Sequence, residues 1–421
     1  MQFATGGAVP QRSASFVWQY VERRLDSLGG CWYSSCLSVG HPEQKDMNIA
    51  FIRGAYLNNF EGQSYHFDAY PAIHITGYSS LYPLDAQVPF SVVKLPSIAD
   101  IQSISFLNKS IKYIANRTLG DSQILMGLER HLRNADIVHI ADPHYYYAYQ
   151  AAQLKKSGAR YKLISTWWET IPHNNETTHA KKQLKREVMS QVDGYVCYTS
   201  KAKECLLAEG VSPHKIQLIP LGVNLTRFTS IKKKEQDKVT ILFVGRLVEE
   251  KGVIDLYKVF RQLAQKNTQL KLRIVGQGPL GATLAHMRKT DSLQDRVSIV
   301  QVPYLMMPYE YQQADMLVAP SKTTQTWEEQ LGMVLLEAMA SGLPIVGYHS
   351  GAVGDIVGNA GLIVPEGDTA HLLQSIRRLA TDKQERDKLG TMGKVRAKKL
   401  YDARKTAQHL YAYYRSHLSK K

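Results

Sequence analysis

Two short stretches of this chain hold charged residues at a spacing that suits the binding of a diphosphate and a polyol. The first, Gly245-Arg246-Leu247-Val248-Glu249-Glu250-Lys251-Gly252, follows the apolar run Val239-Thr240-Ile241-Leu242-Phe243-Val244. Glycine lets the backbone turn sharply and approach a ligand, and Arg246 and Lys251 set two cations just beyond a strand end. A diphosphate could be neutralised there; the plainer alternative is a pair of surface cations in a charged loop. The second stretch is Trp327-Glu328-Glu329-Gln330-Leu331-Gly332-Met333-Val334-Leu335-Leu336-Glu337-Ala338-Met339-Ala340-Ser341-Gly342. Its pattern predicts a helix that opens near Gly332 or Met333 and ends at Gly342, a left-handed terminator. The exposed amides and positive dipole end of such a helix hold anions. Glu337 lies one turn inside and leans back toward that end, so its carboxylate suits the two vicinal hydroxyls of a ribose. Glu329, in the loop before the helix, faces the other side of the anion. A helix-start charge complementing the dipole would account for one of these acids but not for both.

The elements that must position these residues follow from periodicity. Short apolar runs bounded by loops and followed by amphipathic stretches recur along the chain, the pattern of parallel α/β domains. Strands are expected near 1–5, 137–140, 162–166 and 195–199, then at 239–244, 271–275, 297–300, 316–319 and 344–346. The polar stretch 231–238 marks a surface connection between an N-terminal domain, 1–228, and a C-terminal domain, 238–400. Ligands of open α/β sheets bind outside the carboxyl ends of the strands, so the loops there are where chemistry is expected. One of them, Gly276-Gln277-Gly278-Pro279-Leu280-Gly281, formally matches the GxGxxG of nicotinamide-dinucleotide enzymes. In those folds the motif belongs to the first strand of its domain, with an acid ending the second strand about 20 residues on; here Val297 to Val300 is followed by Gln301.

Composition narrows the class further. At 421 residues, 44% hydrophobic and 21% charged, the chain suits two soluble globular domains. Of the net charge of +15, much sits in residues 377–421, where 14 lysines and arginines face 4 acids. Such a tail is either a solvated helix surface or a face for phosphates, including those of an anionic membrane. It has no nucleic-acid module, and its tyrosines, Tyr401, Tyr411, Tyr413 and Tyr414, are spaced as helix-packing residues, so no nucleic-acid partner is expected. Cys31, Cys36, Cys197 and Cys205 form neither a CxxC pair nor a zinc-ligand pattern and fit a reducing compartment. The first residues do not read as a signal peptide, and no run reaches the roughly 20 apolar residues of a membrane span. A cytoplasmic protein, docked peripherally on the inner face of the membrane through its basic tail, is the expectation.

Taken together, Gly245-Arg246-Leu247, Glu250-Lys251-Gly252, Gly276-x-Gly278-Pro279, Pro320-Ser321 and Glu329-x7-Glu337-Ala338-Met339-Ala340-x-Gly342 resemble the retaining GT-B glycosyltransferases of family 4. The resemblance covers nearly all of 240–379 in the right order. It extends more weakly to 193–228, with Ser200 and the crossover Ile219-Pro220-Leu221-Gly222-Val223-Asn224, in which Asn224 replaces the usual aspartate.

That resemblance implies an α/β architecture of two Rossmann-like domains facing a central cleft. The N-terminal domain would bind the acceptor and the C-terminal one a nucleotide-sugar, with the last helix, about 401–421, crossing back onto the N-terminal domain. It implies that Arg246 and Lys251 bind the donor diphosphate and stabilise its departing charge, with Glu329 beside the sugar and Glu337 on the ribose. Gly332, Met333 and Val334 would add backbone donors, and Val302, Pro303 and Tyr304 would flank the base. Gly6 and Gly7 look like the family's glycine-rich loop after the first strand, the competing reading being a plain tight turn. After the strand at 162–166 many relatives carry a histidine near the acceptor, whereas this chain has Thr166-Trp167-Trp168-Glu169. Glu169, His144 and His173 are then the candidates for acceptor contacts. The activity implied is transfer of a hexosyl-type sugar, with retention, to a glycan or lipid-linked acceptor, as in cell-envelope polysaccharide synthesis. Two cations and a helix end can take the place of a divalent ion, and the sequence holds no Asp-x-Asp, so neither metal nor other cofactor is expected. A nucleotide-sugar epimerase, a catalytically silent nucleotide-sugar binder and an NAD enzyme built on Gly276, Gly278 and Gly281 are the alternatives.

Overall fold

The structure, a computed structural model, describes residues 46–103, 107–229 and 238–419. The expected strand at 1–5 and the loop glycines Gly6 and Gly7 lie outside the described residues. The first sheet is built from β1 (Met47–Gly54), β2 (Ile73–Ser79), β3 (Ser91–Lys94), β4 (Ile137–Ile140), β5 (Lys162–Trp167), β6 (Gly194–Cys197) and β7 (Ile216–Leu218), in the order β3-β2-β1-β4-β5-β6-β7. The second holds β8 (Val239–Val244), β9 (Leu270–Val275), β10 (Val297–Val300), β11 (Met316–Ala319), β12 (Ile345–Tyr348) and β13 (Gly361–Val364), in the order β10-β9-β8-β11-β12-β13. Neighbouring strands pair in parallel throughout. These are two doubly wound sheets, and each reverses its strand order once, between β1 and β4 and between β8 and β11.

Parallel strands are covered on both faces and therefore read as near-continuous apolar runs, interrupted in β4 only by His139 and in β8 only by Thr240. The central strand of the first sheet, Met-Asn-Ile-Ala-Phe-Ile-Arg-Gly, is an element the sequence reading passed over, as it did β2, β3, β7 and β13. Arg53 ends that strand fully buried. Its guanidinium grips Glu61 with two bonds, Nε to Oε2 at 2.9 Å and Nη2 to Oε1 at 2.7 Å, and donates to the carbonyls of Ile52 and His139 and to Thr166 Oγ1. One apolar cluster runs from Phe51 and Ile164 through Ile219, Leu221 and Phe228 of the crossover to Leu242 and Leu317 of the second sheet and Met339 of the helix Met333–Ser341.

The last helix, Ala403–Leu418, returns to the first sheet as expected. Val223 N donates to Tyr401 O at 2.8 Å and Ala403 N to Val223 O at 3.1 Å, so the outgoing and returning chains are bonded side by side. Thr406 Oγ1 donates to Pro220 O, Tyr413 OH to Tyr195 O, and Tyr411 stacks on Tyr70 at 4.3 Å. Tyr414 OH lies 2.6 Å from His139 Nδ1, while Thr166 Oγ1 lies 2.8 Å from Nε2. The ring is neutral because burial, and then the Arg53 charge, hold its pKa well below the usual histidine range. A neutral imidazole needs one donor and one acceptor, and the two hydroxyls serve either tautomer.

Tyr414→Phe deprives a buried ring nitrogen of its partner and is expected to cost about 1–3 kcal/mol in urea unfolding. Because the folded pKa of His139 is depressed below the unfolded value of about 6.5, its contribution to stability is present above that pH and lost below it. His139→Gln is expected to flatten that acid limb.

Candidate functional site

At the reversal of the second sheet, the loops after β8 and β11 touch. Gly252 sits at φ 65°, and a Cβ there would stand 1.8 Å from Pro320 O, so only glycine permits this approach. The contact carries Lys251, in the turn Glu249–Lys251, to the loop after β11. Lys251 Nζ lies 2.6 Å from Glu329 Oε2 and 4.7 Å from the Trp327 ring centroid, and Ser321 Oγ donates to the same carboxylate oxygen at 2.7 Å. Ala352 N holds the carbonyl of Glu329 from behind. Glu329 is buried, so its attraction to Lys251 is stronger than at an open surface. Arg246 does not converge on this acid: it faces Glu250 at 3.3 Å with its side chain 62% exposed.

The helix Met333–Ser341 follows at once, with Gly332 as its N-cap and Gly342 as its left-handed C-cap. Its apolar residues are buried around most of the circumference, as befits a helix wedged between layers. Met333 and Val334, its first residues, have no intrahelical acceptor for their N–H groups. Glu337 is buried one turn in. Tyr304 OH donates to its Oε1 at 2.8 Å and Tyr311 OH to its Oε2 at 2.7 Å. Burial raises the Glu337 pKa, and the two phenols and the Arg227 charge oppose that rise. The Arg227 guanidinium lies 4.1 Å over the Tyr304 ring and also donates to Tyr304 O. Tyr304 thus reaches Glu337 itself. Tyr311 carried no sequence signal beyond being one aromatic among polar residues.

The glycines of Gly276-x-Gly278-x-x-Gly281 have another task. A Cβ on Gly276 would lie 1.8 Å from Gly245 O, so the loop after β9 packs directly on the loop after β8. The motif follows the second strand of its sheet in sequence rather than the first, and its glycines serve chain packing.

On the first sheet, Asp142 and His144 follow β4 and Glu169 follows β5. Asp142 is 7% exposed and its Oδ1 accepts from Trp168 N at 2.9 Å. Burial lifts its carboxyl to about 7. Burial likewise holds His144 well below the ordinary histidine range. Glu169 accepts at Oε1 from Thr170 N and Ile171 N, and at Oε2 from the amides of Asn174 and Asn175. All four acceptor directions of that carboxylate are taken up in its own loop, so Glu169 shapes the loop. His173, at φ 62°, is exposed and pairs with Glu176 at 3.0 Å. With Glu209 these residues make a cluster of metal-ligand type, but the Lys185 ammonium already bridges Glu176 and Glu209, and Lys182 pairs with Glu176.

Loops of the two sheets are bonded across the cleft, Asn174 Nδ2 to Thr326 O at 2.9 Å and Lys201 Nζ to Glu328 Oε2 at 2.8 Å. Both land on the residues just before Glu329. Neither was foreseen, because no local pattern relates residues this far apart in the chain.

The family model of glycosyl transferases group 1 matches residues 226–396, and that of glycosyltransferase family 4 matches 108–227. The putative colanic acid biosynthesis glycosyltransferase WcaL of Salmonella typhimurium is 31% identical over 40% of this chain and 42% of its own length. The chain spans about two fifths of the length of several curated relatives that it matches. Sucrose-phosphate synthase of Thermosynechococcus elongatus superposes with a TM-score of 0.69 at 19% identity, over 89% of this chain and 100% of that one. HepE of Anabaena, in complex with UDP and glucose, gives a TM-score of 0.67 at 15% identity, over 88% and 100%. These superpositions establish the fold.

Pyrophosphate is a direct probe of Lys251. Lys251→Ala is expected to weaken its binding about tenfold in calorimetry, the equivalent of roughly 1.4 kcal/mol. Glu329→Gln, which releases Lys251 from its internal counter-charge, is expected to tighten it.

Proposed function

On the premise that this chain belongs to the family 4 glycosyltransferases of GT-B fold, we propose that it moves a hexosyl group from a nucleoside diphosphate sugar to a glycan or lipid-linked acceptor, with retention and without a divalent metal. The observation that carries the reading is the convergence of Lys251, Ser321 and Glu329 at the β8/β11 reversal, beside the opening turn of the helix Met333–Ser341. The diphosphate would displace Glu329 from Lys251 and draw Arg246 away from Glu250, with the N–H groups of Gly332, Met333 and Val334 as further donors. These charges would stabilise the leaving group as the anomeric bond lengthens. Glu329, freed from Lys251, would then lie beside the transferred sugar. The ribose would take the Tyr304 place on Glu337, leaving the Tyr304 ring and Arg227 to flank the base. Departure and attack on one face would retain the configuration.

The first sheet would present the acceptor. The word colanic acid in the name of WcaL and the UDP and glucose held by HepE favour an envelope-type glycan and a nucleotide-glucose-like donor. No helix among the described residues is long and apolar enough to cross a membrane. Lys383, Lys388, Lys394, Lys398, Lys399, Arg404 and Lys405 are exposed, a basic face that would dock on the cytoplasmic surface of an anionic bilayer.

A nucleotide-release screen of UDP-, GDP- and ADP-sugars is expected to give turnover that persists in excess EDTA and falls at least about a hundredfold in Glu329→Gln. Loss of turnover in EDTA with recovery on adding magnesium or manganese would refute metal independence. Proton NMR of the product is expected to show the donor's anomeric configuration. In low salt, vesicles containing phosphatidylglycerol should sediment the protein and neutral vesicles should not; equal recovery with both would remove the membrane from the proposal.

A further inference from the structure

We infer that Lys201 and Asn174 are positioning residues for Glu329: from the loops of the first sheet they hold residues 326–329, in the loop after β11, and so set where that acid stands. The inference rests on the transferase reading above, which puts Glu329 beside the transferred sugar, and adds the groups that keep it there. Residues 326–329 belong to neither helix nor strand, so no ladder of backbone bonds fixes them. Their own side of the cleft contributes two bonds, Thr324 N to Trp327 O at 2.7 Å and Ala352 N to Glu329 O at 2.8 Å. The bonds from the first sheet land on the same stretch, at Thr326 O and at the Glu328 carboxylate. Glu328 reaches to Lys201 and Glu329 to Lys251, so these neighbouring side chains diverge toward the two sheets. Anchoring the first fixes the backbone from which the second leaves.

Each anchor is itself prepared. Lys201 lies in the first turn of the helix Ser200–Ala208, which follows β6. A cation there faces the positive end of the helix dipole, a poor place for it unless an acid answers. Glu328 is that acid: it is 5% exposed, with Oε2 on Lys201 and Oε1 sealed from solvent without a partner. Removing one partner of a buried pair leaves an uncompensated charge, so Lys201 decides whether Glu328 can stay in this place. Asn174 is oriented by Glu169. Its Nδ2 donates to Glu169 Oε2 at 3.1 Å and to Thr326 O at 2.9 Å, which uses both hydrogens of the amide. The Glu169 carboxylate is in turn fixed by Thr170 N, Ile171 N and Asn175 Nδ2.

Trp327 lies between the anchored residues and puts its ring 4.7 Å from Lys251 Nζ. The first sheet thus bears on both the acid and the cation of the β8/β11 reversal through one short stretch of chain. A misplacement of about 1 Å at a reacting group can cost about a hundredfold in rate, so a residue that contacts no substrate can still govern kcat. Lys201 and Asn174 act in this way, through Glu329 and not on the sugar itself.

The test uses the nucleotide sugar turned over in the release screen. Lys201→Ala and Asn174→Ala are each expected to lower kcat about tenfold, with the Kd of the product nucleoside diphosphate within about threefold of wild type. Lys201→Arg, which keeps the charge, should keep most of the rate. In a Glu329→Gln background Lys201→Ala should lower kcat no further, because residues that act through one group are not additive. Contacts that only hold the fold together would lower the melting temperature and leave kcat as it was. That result would overturn the inference, as would a loss of about tenfold repeated in full in the Glu329→Gln background. Absence of release from every nucleotide sugar would instead sink the transferase reading. The free protein then decides on the anchors: with 5-fluorotryptophan incorporated, the fluorine resonance missing from Trp327→Phe should shift or broaden in Lys201→Ala and Asn174→Ala and return to its place in Lys201→Arg. A Trp327 resonance unmoved in both alanine variants would refute the anchoring.

Discussion

Lys251 and Glu329 are 78 positions apart in the chain and meet at 2.6 Å because β8 and β11 are neighbours in the sheet. The meeting of the two loops hangs on that adjacency. A parallel sheet that reverses its order leaves a crevice at the reversal, since the connections from the two central strands depart to opposite faces. The loop after β8 brings the cation, the loop after β11 brings Ser321 and the acid, and Gly252 lets the two backbones touch. The helix Met333–Ser341 follows that acid in the chain, with Gly332 as its N-cap.

The charged side chains at this reversal are paired from within the protein: Lys251 with Glu329, Arg246 with Glu250, and Glu337 with Tyr304 and Tyr311. On the reading proposed above, a phosphate would take the place of the Glu329 carboxylate against Lys251, and a sugar hydroxyl that of the Tyr304 phenol on Glu337. Leaving a buried ammonium or carboxylate without partners is far more costly than pairing it, so a low-dielectric site built for charge must compensate itself when no ligand is bound. A ligand there would compete against internal partners of its own chemical kind, and its affinity would reflect a difference between two sets of contacts.

The two sheets are held in register by contacts of different character. An apolar cluster runs through the crossover, and the last helix locks back through Tyr414 to His139, itself linked by Thr166 to the buried Arg53–Glu61 pair. Asn174 to Thr326 and Lys201 to Glu328 add polar bonds between the loops at the edge of the cleft.

Local physics decided much of this in the sequence alone. Near-continuous apolar runs marked β4, β8, β10 and β11, and the boundaries of the helix before Gly342 followed from its caps. The types and order of Lys251, Ser321, Glu329 and Glu337 followed from motif spacing, because strand ends and helix starts place such residues by local geometry. Which of them touch was not local. That Tyr304 and Tyr311 cover Glu337, that Lys251 meets Glu329 and that Trp168 N holds Asp142 all depend on elements brought together across long stretches of chain. Burial, pairing and charge compensation are sums over such distant neighbours, so they exist only once the sheets have formed.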